Sequence, residues 1–186
     1  MDAKLKESSV VCARPQVAAL AHRYCELVDT LVLAGDAFDW AADTEPYLRD
    51  IATLLPRLQA AVCSIPCQGR LLGDADSIDL DTRFELFSRL RRLLADRDGY
   101  WLEFDRADGD DIDVMTGSLA DDLTDIYCEL KSGLRLYELD PACATRAWAC
   151  GFDAHWGRHL VDAERHLAVL QAQGRLGARA TFARSP

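Results

Sequence analysis

One helix-patterned segment carries four carboxylates at short spacing, Asp121, Asp122, Asp125 and Glu129. Spacings of three and four residues place Asp122, Asp125 and Glu129 along one side of an α-helix, where like charges repel one another. A bound divalent cation is one way to relieve this repulsion, because hard cations take carboxylate oxygens as ligands. The alternative is that Asp121 and Asp122 stabilise the first helical turn through the helix dipole while Glu129 faces water.

Two histidines form a second candidate group. His155 and His159 are four residues apart, so on a helix their imidazoles share a face and can chelate one metal ion. Together with Asp122 and Asp125 they are the predicted ligands of a divalent metal, and histidine with carboxylate favours zinc, iron or manganese over calcium. The alternative is that the imidazoles form hydrogen bonds to buried polar groups, such as the carboxylates of the acidic helix.

Aromatic side chains with polar tips give a third candidate site. Tyr100, Trp101, Tyr127 and Trp156 would suit a small-molecule pocket, although the same residues would also make an ordinary core. The sequence has no Gly-x-Ser-x-Gly elbow and no glycine-rich phosphate loop, so covalent catalysis is not expected.

Apolar periodicity predicts the helices that position these groups. The predicted helices cover residues 17–31, 47–62, 81–98, 118–134 and 141–171. Thr44 and Pro46 suit the cap and first turn of the second helix, and Ser118 with Asp121 has the spacing of a capping box at the start of the fourth. The sequence therefore predicts an all-α, single-domain bundle of about five helices over residues 1–186, with residues 1–14 and 174–186 as flexible tails.

Three further details of the predicted bundle concern its loops and faces. On the third helix, Phe84 is expected on the apolar side and Arg83 outside. Residues 63–80 read as a connecting loop, and residues 99–117 as an aromatic segment followed by an exposed acidic loop, without an assigned strand. Gly133 and Gly157 fall inside helices, and we expect them to let neighbouring helices approach closely and bring the acidic and histidine turns together.

The composition excludes several classes of protein. With 49% hydrophobic and 28% charged residues among 186, the chain is expected to fold. A net charge of -10 disfavours nucleic acid as a partner, and the absence of an apolar run of about 20 residues predicts no membrane span. Seven cysteines, an odd number without a Cys-x-x-Cys pair, are expected to be reduced core thiols of a cytoplasmic protein.

Three segments of the chain begin at Gly99-Tyr100-Trp101, at Gly117-Ser118 and at Trp148. In this order they resemble the bacterial family named domain of unknown function 5063, and the resemblance covers about residues 99 to 170. It implies an all-helical bacterial protein and assigns no activity. The positions that match the family pattern are Tyr100, Trp101, Asp121, Asp122, Asp125, Tyr127, His155, Trp156 and His159.

The sequence alone favours a non-catalytic interaction or accessory protein with a protein partner, because no complete catalytic constellation is visible. A divalent-metal protein, either a hydrolase or a sensor, and a small-molecule-binding protein are the alternatives. The sequence does not determine the oligomeric state.

Overall fold

A computed structural model describes residues 15–30, 40–67, 78–104 and 113–176. Its described part is helical, as predicted, apart from one β-hairpin. Helix α1 includes residues 15–30. The other elements are α2 (Trp40–Cys63), α3 (Leu80–Leu94), a 3-10 turn (Ala95–Arg97), β1 (Gly99–Phe104), β2 (Asp113–Ser118), α4 (Leu119–Leu139), α5 (Pro141–Gly151), a π turn (Phe152–Trp156) and α6 (Gly157–Ala172).

The helices bury one continuous apolar core. Tyr24 of α1 is fully buried, and its hydroxyl donates a hydrogen bond of 2.8 Å to the carbonyl oxygen of Leu123 on α4. This bond satisfies the one polar atom that the Tyr24 side chain brings into the core. Helix α4 packs against α3, α5 and α6, so its residues lie at the centre of the bundle.

Two helices differ from the sequence-based prediction. Helix α2 begins at Trp40, so Pro46 lies within the helix and not in its first turn. The apolar stripe that starts at Tyr47 marks where the helix meets the core, which is not where the helix begins. In α3 the buried row includes Leu86 and Leu90; Phe84 is 70% exposed, and the prediction that it faces the core is wrong.

The segment without an assigned strand forms an antiparallel hairpin in which Tyr100 pairs with Gly117. Its two ends are fixed to α4 by Asp98, which is buried. One carboxylate oxygen of Asp98 accepts the Ala120 N–H at 2.8 Å and the Ser118 hydroxyl at 2.9 Å. Ser118 also caps α4 by accepting the backbone N–H of Asp121, as predicted. The predicted acidic loop at 108–111 lies outside the described residues.

The predicted N-terminal tail, residues 1–14, lies outside the described residues, and so do residues 177–186 of the predicted C-terminal tail. Residues 174–176 were expected to begin the C-terminal tail, but they belong to a turn in which Leu176 is buried. Arg175 in this turn binds the carboxylate of Asp96 at 2.7 Å. The ordered chain therefore continues past the end of α6.

The two helical glycines have different roles. A Cβ atom at Gly133 would overlap the indole ring of Trp148, so Gly133 allows the close contact of α4 with α5 that was expected. A Cβ atom at Gly157 would instead lie 2.5 Å from the carbonyl oxygen of Phe152 in the same helical segment. The expectation that Gly157 serves contact with a neighbouring helix is therefore wrong, because the obstacle is the local backbone.

Cys67 and Cys150 form a disulfide with their Cα atoms 5.0 Å apart. The expectation that every cysteine is a reduced core thiol is wrong for this pair, and Cys63 is exposed. No described helix has both the length and the apolar character needed to cross a membrane. The cytoplasmic location stays a prediction that the disulfide does not favour, since disulfides are rare in that compartment.

Replacing Gly133 by alanine should destabilise the chain by about 1–2 kcal/mol net. The added methyl group overlaps Trp148 in a packed core, which costs up to about 3 kcal/mol, and alanine gains about 1 kcal/mol in helix propensity. Urea unfolding measures the difference. Gly99→Ala is the control, since a Cβ atom there meets no heavy atom within 4 Å; equal effects of the two substitutions would contradict the packing role of Gly133.

Candidate metal centre

Two carboxylates of α4 are buried, with Asp122 4% and Asp125 7% exposed. The side chain of Asp121 is 47% exposed, so the two acids of the first turn of α4, Asp121 and Asp122, differ in exposure although both lie where the helix dipole favours negative charge. A buried carboxylate is costly unless it is paired and hydrogen-bonded. The partners of Asp122 and Asp125 therefore define the site.

His159 of α6 lies between the two buried carboxylates. Its Nδ1 atom is 2.8 Å from Oδ1 of Asp122, and its Nε2 atom is 3.2 Å from Oδ2 of Asp125. The predicted hydrogen bonding of an imidazole to the acidic helix is thus present. In a neutral His159 ring whose Nδ1–H donates to Asp122, the Nε2 atom carries no proton. Its lone pair then lies on the side of Asp125.

His155 repeats this arrangement one turn away. Its Nδ1 atom is 3.2 Å from Oε1 of Glu129, and its ring centroid is 5.2 Å from that of His159. Asp125, His155 and His159 each offer one ligand atom, and these three atoms lie within 4.8 Å of one another. The acidic and histidine turns therefore meet in space, and Asp122 lies behind His159, on its Nδ1 atom.

Arg83 of α3 supplies the positive charge beside Asp125. Its Nη2 and Nε atoms are 2.6 and 3.1 Å from Oδ1 of Asp125, and Nη2 is also 3.4 Å from Asp121. Both contacts with Asp125 use Oδ1, so Oδ2 is the oxygen that faces His159. Arg83 was expected outside the core, and its contact with Asp125 was not predicted, because the apolar pattern of α3 carries no signal for it.

A chain of aromatic and polar contacts extends from the hairpin to His159. The Tyr100 hydroxyl donates to Oδ2 of Asp122, and the Tyr100 ring stacks on His166 with centroids 4.7 Å apart. His166 in turn donates from Nε2 to the carbonyl oxygen of Arg97 at 2.7 Å. Both oxygens of Asp122 are therefore engaged, one by His159 and one by Tyr100.

Electrostatics favour a protonated His159 in the metal-free chain. Burial lowers the pKa of His159, but the hydrogen bond with Asp122 and the charges of Asp125 and Asp122 outweigh burial and raise this pKa above its usual value. A metal ion would replace that proton as the positive charge between the carboxylates.

The four residues of the predicted aromatic pocket lie in different surroundings. Trp101 is 70% exposed, whereas Trp156 is fully buried and donates from Nε1 to the carbonyl oxygen of Trp148 at 3.2 Å. The Tyr127 hydroxyl donates to Asp29 at 2.5 Å, and Tyr100 binds Asp122. Tyr100 therefore belongs to the cluster around His159, whereas the Trp156 side chain is hydrogen-bonded to the backbone of α5.

Comparisons with known proteins give a family and a fold. A family model described as domain of unknown function 5063 matches residues 13–173, so the match extends to α1 and α2, beyond the segments that suggested it. The crystal structure of protein BF1032 from Bacteroides fragilis is similar, with a TM-score of 0.62 and 17% identity over 89% of this chain and 93% of that one. At this identity the similarity shows a shared fold. No curated protein matches the chain.

In the metal-free chain, His159 should stabilise the fold more at low pH than at high pH. Its folded-state pKa is raised, so its contribution is fully present below the unfolded value of about 6.5 and is lost as pH rises through the folded value. Urea unfolding of chelator-treated protein should show a difference between the wild type and His159→Gln that shrinks with rising pH. A difference that grows with pH would contradict this assignment.

Proposed function

This chain belongs to the domain of unknown function 5063 family, and we propose that it is a divalent-metal protein whose ion is held by Asp125, His155 and His159. The three side chains come from two helical segments, α4 and the stretch from the π turn into α6. Their ligand atoms lie within 4.8 Å of one another, a separation that one ion with bonds of about 2 Å can span.

The observation that carries the proposal is the pairing of both imidazoles through Nδ1. Asp122 binds Nδ1 of His159 and Glu129 binds Nδ1 of His155. Metal-binding histidines usually donate their second ring N–H to a carboxylate, a backbone carbonyl or water, which fixes the tautomer and orients the ring. The same pairing in both histidines leaves both Nε2 atoms as candidate ligands.

The donor set selects the kind of ion. Because Arg83 engages Oδ1 of Asp125, the carboxylate would bind through Oδ2 as a single-atom ligand. Two imidazole nitrogens and one carboxylate oxygen suit zinc, iron or manganese. Calcium is disfavoured, since it takes 6–8 oxygen ligands.

The exposure of the site favours a reactive centre over a purely structural one. Three protein ligands leave at least one coordination position for water or substrate, whereas structural zinc sites are closed by four. The His155 side chain is 43% exposed, so solvent reaches this side of the cluster. An ion in such a position lowers the pKa of bound water, which is the basis of metal-assisted hydrolysis.

The test is a calorimetric titration of tag-free, chelator-treated protein with zinc or cobalt(II), which measures the number of ions bound and their affinity. The wild type should bind one ion, and His155→Ala or His159→Ala should weaken binding severely. Asp122→Asn should cost about 10–100-fold in affinity, as expected for a partner that orients a ligand.

His22→Ala is the matched control, because His22 is an exposed histidine of α1 and should leave the affinity unchanged. If the wild type binds no ion, or if His22→Ala weakens binding as much as His159→Ala, the proposal is wrong. The histidines would then be partners of the buried carboxylates and nothing more.

An interaction with a protein partner is a second proposal, supported by one exposed apolar face. Leu80 and Phe84, one turn apart on α3, are 80% and 70% exposed. A partner bound through this face should be recovered by affinity capture with the wild type and lost with a Leu80→Glu/Phe84→Glu variant. Equal recovery with both proteins would contradict the use of this face.

A further inference from the structure

The helical segment that carries both histidines contains one irregular turn. Phe152–Trp156 form a π turn in which the Gly157 N–H donates to the carbonyl oxygen of Phe152, five residues back. In a regular α-helix this N–H would reach the residue four positions back. The turn therefore holds one extra residue, and His155 lies within it. Single π turns inside α-helices are rare and frequently occur at functional sites.

Buried aromatic contacts hold this turn in place. Trp156 is fully buried, and its indole N–H donates to the Trp148 carbonyl oxygen, which also accepts the backbone N–H of Phe152. The rings of Phe152 and Trp156 meet edge to face with centroids 4.9 Å apart. The turn is thus built into the core at its first and last residues.

Glycine at position 157 is required for this geometry. A Cβ atom there would lie 2.5 Å from the Phe152 carbonyl oxygen and 3.1 Å from a carbon of the Phe152 ring. The oxygen belongs to the backbone, so it cannot move aside without opening the turn. A larger residue at 157 therefore conflicts with the π turn itself.

We propose that Gly157 is a positioning residue for the metal centre and acts by permitting the π turn that places His155. This inference rests on the proposed metal function. Within the cluster, His155 is half-exposed and contacts Glu129, whereas His159 belongs to regular α6 and is held between Asp122 and Asp125. Of the two imidazoles, His155 is thus the one whose position depends on the turn.

The first test is Gly157→Ala, measured by zinc affinity and by the visible absorption of the cobalt(II) form. The affinity should fall roughly tenfold or more, as for loss of a group that orients a ligand, and the cobalt spectrum should change because one ligand has moved. Val17→Ala is the destabilising control. Val17 is fully buried on α1, a helix that carries none of the proposed ligands and takes no part in the π turn, so this variant should lower stability while affinity and spectrum stay as in the wild type.

A second variant keeps the inference testable if Gly157→Ala folds poorly. Deleting Ala154, which is exposed, removes the extra residue and allows a continuous α-helix from Pro141 to Ala172. All proposed ligands remain, and His155 and His159 stay four residues apart, but without the π turn His155 is no longer placed beside Glu129, the carboxylate that orients it. The deletion variant should retain its helical circular dichroism and unfold cooperatively, yet bind zinc roughly tenfold or more weakly.

The outcomes separate this inference from the proposed function. Wild-type affinity and spectrum in a folded Ala154 deletion or Gly157→Ala variant would overturn the role of the π turn and leave the metal function standing. Equal loss of affinity in Val17→Ala would show an effect of general destabilisation and would also overturn it. A wild type that binds no zinc or cobalt would refute the metal function itself.

Discussion

Burial of two carboxylates on the central helix is the constraint on which the surrounding structure depends. Asp122 and Asp125 are almost inaccessible to solvent, and an isolated buried charge would be too costly to keep. Three neighbouring elements each contribute one compensating group. Arg83 comes from α3, Tyr100 from β1 and His159 from α6.

The β-hairpin fixes the start of α4 and supplies one partner of Asp122. Asp98, just before β1, accepts the Ala120 N–H in the first turn of α4 and the Ser118 hydroxyl. This contact fixes the start of α4 relative to β1, and Tyr100 then reaches Asp122 two residues into the strand. The orientation of His159 therefore depends on Asp98 through a series of contacts. Asp98 fixes β1 to α4, Tyr100 of β1 binds Asp122, and Asp122 binds His159.

Stability and chemistry make different demands on the helices that carry the site. At Gly133 the missing side chain gives room to Trp148 and so serves the core. At Gly157 it gives room to a carbonyl oxygen of its own chain and so serves an irregular turn. An α-helix would form more readily at this place, and the aromatic contacts of Trp156 offset the cost of the departure. The fold is shared with protein BF1032 at 17% identity, which is consistent with packing that tolerates sequence change.

The sequence by itself determined the helical class, the Ser118 cap and the choice of Asp122, Asp125, His155 and His159 as candidate ligands, because periodicity, spacing and capping are local properties of the chain. It did not assign the hairpin, and it misjudged the faces of α3, since Phe84 and Arg83 differ from their expected positions only through the way α3 packs. The sequence did not indicate the disulfide, which joins residues far apart in the chain. It did not indicate the π turn either, which depends on the core packing of Phe152 and Trp156. Above all, only the tertiary structure separated Asp125, whose Oδ2 atom faces Nε2 of His159, from Asp122, which meets Nδ1 of the same ring. That distinction depends on which atom of a neighbouring helix each carboxylate meets, and spacing along one helix contains no information about it.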